Sequence, residues 1–293
     1  MKNVYYPLAG MNYIIDSIPQ ILKNKHPEDK KEIILYLSAQ VNSYPHIGTL
    51  VNFISAFALA KQIKSTYNVH VKIRVELLES VTGKEETINE VKYYKNLMNV
   101  VDKNGTTICE KYLPYFKEIL NRLSTMDEIE YEIMFFYDYQ KHTLVRKSLL
   151  EVLDNADILG EVLNPKDGSI RLRFECPKCG LVDKHNHNLK VIHKSKDKII
   201  LENECPIHGK HRLTVTENNE ERFDMNVPLR YLVKAIYLIK SDKQNNTLSV
   251  IVDGGDWSGM WPLRVYMEPL LKLGYREPVN VIYTPTILDW SGS

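Results

Sequence analysis

The stretch Ile33-Ile34-Leu35-Tyr36-Leu37-Ser38-Ala39-Gln40-Val41-Asn42-Ser43-Tyr44-Pro45-His46-Ile47-Gly48-Thr49-Leu50 decides how this chain is read. Residues 33–37 are a continuous apolar run, the pattern of a parallel strand buried on both faces. Residues 38–44 are short and mostly polar, and Pro45-His46-Ile47-Gly48 opens an apolar segment whose composition predicts a helix over 49–63. A strand feeding a helix in this way aims the helix's unpaired N–H groups, and the positive end of its dipole, at one anion-binding point. His46 is placed to donate a hydrogen bond to a phosphate oxygen. Gly48 leaves the backbone open to the approach of a nucleotide base.

Outward from this stretch, residues 69–78 set His70 and Lys72 against Val71, Ile73 and Val75 and read as a second strand. Strand, helix and strand form a βαβ unit, which predicts a parallel sheet with a right-handed crossover. Apolar spacing predicts helices over 13–23, 86–99, 112–124 and 143–153, and a third strand over 131–137. The aromatic run Phe135-Phe136-Tyr137-Asp138-Tyr139 fits core packing better than a pocket lining. From residue 169 the character changes to short strands around cysteine turns, over 169–174, 190–193, 198–202 and 211–216. After residue 221 the α/β pattern returns, with helices over 229–239 and 261–273 and strands over 249–253 and 279–283. The expected organisation is one α/β domain in two halves, 1–165 and 221–293, interrupted by a β-rich insertion over 166–220.

The chain has 293 residues, and 44% of them are hydrophobic, which is enough to build a sizeable core. Its 38 basic and 37 acidic side chains leave a net charge of +1, so bulk electrostatics give no case for general nucleic-acid binding. The first residues lack the apolar centre of a signal peptide, and no run approaches the roughly 18 apolar residues of a membrane span. A cytoplasmic protein with no membrane partner is expected.

The cysteines are Cys109, Cys176, Cys179 and Cys205. Cys109 stands alone and reads as an ordinary partly buried residue. The others fall in two copies of one pattern, Cys176-Pro177-Lys178-Cys179-Gly180 and Cys205-Pro206-Ile207-His208-Gly209. Each places two ligands about one tetrahedral edge apart, and the trailing glycine lets the backbone turn beneath a metal. Three thiolates and an imidazole suit Zn²⁺, and four protein ligands make the site closed and structural. His185, His187, His193 and His211 lie nearby, but only His208 holds the repeated frame.

A second element comes late. Val250-Ile251-Val252-Asp253-Gly254-Gly255-Asp256-Trp257 is a strand running into a Gly-Gly-Asp turn. Ligands of open α/β sheets collect beyond the carboxyl ends of strands, where a carboxylate such as Asp256 can accept both ribose hydroxyls. By contrast, Glu79-Ser80-Val81-Thr82-Gly83-Lys84 lacks the first glycine of a P-loop and reads as a helix cap.

Taken together, these segments resemble the catalytic domain of class I aminoacyl-tRNA synthetases, whose first signature usually reads His-Ile-Gly-His. The order of segments is His46 element, zinc insertion, then Phe223-Asp224-Met225-Asn226-Val227-Pro228-Leu229-Arg230-Tyr231, then Gly255-Asp256. It most resembles the class I lysyl branch. The resemblance implies a Rossmann-like parallel sheet of the HUP type with a zinc-ribbon insertion. It also implies ATP with Mg²⁺ as nucleotide, an amino acid (lysine in that branch) as co-substrate and tRNA as acceptor. Carried over by position, Pro45, His46, Gly48, Gly254, Gly255 and Asp256 would hold ATP. His46 and Thr49 would be catalytic, with Thr49 standing where the family has its second histidine. Arg230 would contact substrate or tie the insertion to the core, and Glu76 or Glu79, near the end of the second strand, would pair with an ammonium group. Ile287-Leu288-Asp289-Trp290-Ser291-Gly292-Ser293 resembles the lead-in to the family's second signature, Lys-Met-Ser-Lys-Ser. The lysines of that signature and an anticodon-binding domain do not fall within the 293 residues. Two other functions fit the same features: a synthetase-like binding or regulatory protein without catalysis, and a nucleotidyl transferase acting on a small acid outside tRNA charging.

Overall fold

The protein is described here over residues 11–287 by a computed structural model. Its centre is a sheet of β1 (Glu32–Ala39), β2 (Val71–Leu77), β3 (Glu130–Phe135), β4 (Thr247–Gly254) and β5 (Asn280–Thr284). Every pairing is parallel and the order is β5-β4-β1-β2-β3. This is a mixed α/β, Rossmann-like core. The chain moves outward from β1 in one direction through β2 and β3, then returns to place β4 and β5 on its other side. That reversal opens a crevice at the carboxyl ends of β1 and β4.

Alternation along β1 explains why the sheet is covered on both faces. Ile33, Leu35 and Leu37 point into one core, where Phe53 and Phe57 of α1 (Ile47–Tyr67) meet Phe116 and Leu120 of α2 (Ile108–Asp127). Ile34 and Tyr36 point into the other, against Leu149 of α3 (Thr143–Asp154) and Leu229, Leu232 and Ile236 of α4 (Val227–Asn245). The aromatic run falls in this second core, with Phe136, Tyr137 and Tyr139 all buried. Cys109 is buried at the start of α2.

Three segments differ from the sequence reading. Residues 86–99 are not a helix but most of an antiparallel hairpin, Thr82–Ile88 with Val91–Asn96. Its turn residues Asn89 and Glu90 have φ of 50° and 66°. The second hairpin strand also pairs with Leu181–Asp183, so the β-rich unit draws on two stretches of chain. The strand predicted over 131–137 ends at Phe135, where Phe136–Lys141 turns helical. Glu79 is a cap, but of that distant helix: its carboxylate oxygens accept from the Phe136 and Tyr137 N–H groups, both at 2.8 Å. The rest of the insertion is a three-stranded antiparallel sheet of Lys190–Lys194, Lys198–Cys205 and Gly209–Thr216. Among the described residues no helix is long and apolar enough to cross a membrane.

Candidate functional site

The crevice at the β1/β4 edge is a cleft of about 680 Å³, within the usual range for cofactor and small-molecule sites. Pro45 adjoins it in the loop before α1. Its walls include His46, Gly48 and Thr49 from that helix start and Gly254, Gly255 and Asp256 from the end of β4. Two segments more than 200 residues apart in sequence therefore face one space. Arg230 lines it as well. Glu76 and Glu79 do not: Glu79 is the helix cap described above, and Glu76 is buried, accepting from Lys234 Nζ and Ser38 Oγ, both at 3.0 Å. The structure thus separates those two carboxylates from the residues they were expected to join.

His46 is the N-cap of α1. Its Nδ1 accepts from the Thr49 N–H at 3.4 Å, and its Nε2 lies 3.1 Å from Thr49 Oγ1. With Nδ1 accepting, the proton of the neutral ring sits on Nε2. Thr49 therefore orients the imidazole at the helix end and accepts its Nε2–H on Oγ1. A Cβ at position 48 would come within 3.1 Å of the His46 ring, so Gly48 gives that ring its place.

The Gly-Gly-Asp turn is equally tight. A Cβ on Gly254 would lie 2.3 Å from Asp256 Oδ1, and one on Gly255 would lie 2.7 Å from the Thr284 carbonyl oxygen. Trp257 lines the cleft beside them, stacked on Tyr231 with ring centroids 6.0 Å apart and 4.9 Å from the Trp261 ring. Tyr231 donates to Asp253 Oδ2, and the Gly254 N–H donates to Asp253 Oδ1 at 2.9 Å. Burial pushes the Asp253 carboxyl above its ordinary value, against the opposing pull of the Tyr231 hydroxyl, the Gly254 N–H and the Lys234 charge. Trp257, Tyr231 and Asp253 were not assigned a role from the sequence. Their signal was position, at or after a strand end for Asp253 and Trp257 and near a helix start for Tyr231, which cannot separate a core side chain from a cleft wall. Of the 287–293 stretch only Ile287 lies within the described residues, and it lines the cleft; 288–293 lie outside them.

Away from the cleft, Cys176, Cys179, Cys205 and His208 converge, with ligand atoms all within 4.8 Å of one another. Cys179 Sγ is 3.6 Å from Cys205 Sγ, and His208 Nδ1 is 3.7 Å from the sulfurs of Cys176 and Cys205. A tetrahedral zinc with Zn–S bonds of about 2.3 Å requires edges of about 3.7 Å, so donor set and spacing are compatible with that metal. Gly180 and Gly209 have φ of 72° and 74°, the left-handed turn each knuckle needs. Burial opposes the Cys176 thiolate, but the Lys178 and Cys179 N–H groups outweigh it and hold the thiol below its ordinary value. Of the other histidines, His185 contacts Arg171, His187 contacts Asp183, His211 packs against the Phe174 ring, and His193 is exposed.

No protein-family model matches the sequence, and no curated protein is significantly similar to it. Among solved structures, a Campylobacter jejuni protein assigned as an arginyl-tRNA synthetase is similar, with 10% identity and a TM-score of 0.33. The match covers 94% of this chain and 60% of that one. At this TM-score the likeness is too distant to bear on the site.

Proposed function

We propose that this chain binds ATP with Mg²⁺ in the β1/β4 cleft and activates a carboxylic acid, most simply an amino acid, as its adenylate. The observation that carries this reading is the meeting of the His46 helix start and the Gly254-Gly255-Asp256 turn in one cleft. The α1 N-terminus would face the α-phosphate, and the His46 Nε2–H would turn from Thr49 Oγ1 to reach it. Asp256 would accept the ribose hydroxyls, and Trp257 offers a ring face to the base. In the reaction a substrate carboxylate oxygen bonds to the α-phosphorus, the bond to the bridging oxygen of pyrophosphate breaks, and that oxygen keeps the electron pair. No proton need move, so the protein contributes positioning and charge stabilisation. Zinc at the Cys176–His208 cluster would supply only a structural cross-link, fixing the insertion beside the core. tRNA as acceptor rests on the sequence resemblance. Lysine as the acid also rests on the sequence resemblance, and neither Glu76 nor Glu79, expected to pair with its ammonium group, lines the cleft.

ATP–pyrophosphate exchange, with zinc-loaded protein across a panel of amino acids, tests this reading. His46→Asn keeps a good N-cap but removes the imidazole. Exchange should fall by roughly 10²–10³ while stability changes little. Unchanged exchange would remove His46 from its role, and no exchange with any acid would leave only a nucleotide-binding protein.

A further inference from the structure

Arg230 sits in the first turn of α4, is 7% exposed and lines the cleft. Among the described residues its guanidinium meets the Phe136 ring at 5.8 Å, but no carboxylate and no hydrogen-bond acceptor. The other cations buried nearby are all matched. Lys234 has Glu76, Arg173 has Asp224, and Arg146 donates to Asn219 Oδ1 and the Glu221 carbonyl, both at 2.8 Å. A guanidinium that faces a cleft without a protein partner can hold a planar anion with bidentate geometry.

Arg230 reaches the cleft from the face of the sheet opposite the His46 helix start. His46 and Gly48 enter with α1 from one face of the sheet, whereas Arg230 and Tyr231 enter with α4 from the other. The α4 N-terminus adds to the positive field there: its N-cap, Asn226, makes no side-chain cap bond. Of the carboxylates on that side, Glu76 pairs with Lys234 through Oε2 and leaves Oε1 without a partner, and Asp253 is held by two neutral donors, the Tyr231 hydroxyl and the Gly254 N–H. Among the described residues Arg230 is the cation without a partner on the α4 side of the cleft.

We propose that the acid activated here carries a second anionic group, and that Arg230 holds it. The substrate class is then a dicarboxylic amino acid of the aspartate or glutamate type rather than a cationic one. This inference rests on the adenylate-forming reading above. The test is exchange with aspartate, glutamate, their amides, lysine and neutral amino acids, on the zinc-loaded wild type, Arg230→Gln and Arg230→Lys. One dicarboxylic acid should dominate its own amide by roughly 10²-fold in kcat/KM. Arg230→Gln should raise KM for that acid about as much while leaving KM for ATP within about twofold, and Arg230→Lys should restore part of the loss. A preference for lysine or a neutral amino acid, or an Arg230→Gln defect confined to ATP, would overturn the proposal. If no acid supports exchange, the activation reading fails by itself. Calorimetric titration of aspartate and glutamate into the protein loaded with Mg²⁺ and a non-hydrolysable ATP analogue then decides Arg230. Binding lost in Arg230→Gln supports its anion site, and no binding of either acid overturns it.

Discussion

At the scale of single residues the cleft is built from close approaches. Gly254 is the clearest case, because a Cβ there would strike the free end of the Asp256 side chain rather than the backbone. Gly254→Ala should therefore swing that carboxylate away and leave the fold in place. Losing a charge-assisted hydrogen bond of about 1.5–3 kcal/mol predicts about 10- to 100-fold weaker ATP binding by calorimetry, with an unchanged unfolding midpoint. Asp253 gives a second prediction. Burial raises its carboxyl above the ordinary value of 3.8, so the folded chain keeps that proton to a higher pH than the unfolded chain does. Its contribution to stability is complete below the ordinary value and is lost as pH rises through the raised one. Asp253→Asn cannot ionise, yet it keeps an oxygen for the Tyr231 hydroxyl. Its stability relative to wild type should climb as pH rises from the ordinary value of 3.8 through the raised one in paired denaturation curves. A difference that is flat with pH would contradict this account.

At the scale of elements, the sequence was legible where hydrophobic pattern and structure share a period. Residues 33–37 read as a buried strand because β1 is covered on both faces, and residues 69–78 alternate along β2. The failure at 86–99 has a specific cause. Val91, Tyr94 and Leu97 lie three apart and mimic a helical stripe, yet Tyr94 is buried through its bond to Asp224 and its contact with Arg173. The turn at Asn89-Glu90 lacks the glycine that usually marks a hairpin, so nothing local announced it. The metal knuckles were legible for the opposite reason. Ligands and left-handed glycines are local features, and they repeat. Removing zinc with a chelator, or Cys205→Ser, should abolish hydrogen-exchange protection across the strands from 190 to 216. ATP binding should persist within a few-fold, since the cleft walls lie outside the insertion. Loss of ATP binding together with the metal would show that the two units are not separable in this way.

At the scale of the whole molecule, topology does what no single motif could. A histidine at a helix start and a Gly-Gly-Asp turn are each commonplace. They become one site because the parallel order β5-β4-β1-β2-β3 sets the carboxyl ends of β1 and β4 side by side. The partners of Glu76 and Glu79 were not legible, since pairing between positions 158 residues apart, as for Glu76 and Lys234, leaves no local trace. The most direct test is hydrogen exchange of the zinc-loaded chain with and without saturating Mg²⁺–ATP. The account predicts slowed exchange at residues 46–50 and 253–257 together, with the far edge of β3 unaffected. Protection at only one of those segments, or only at a distant surface, would contradict it.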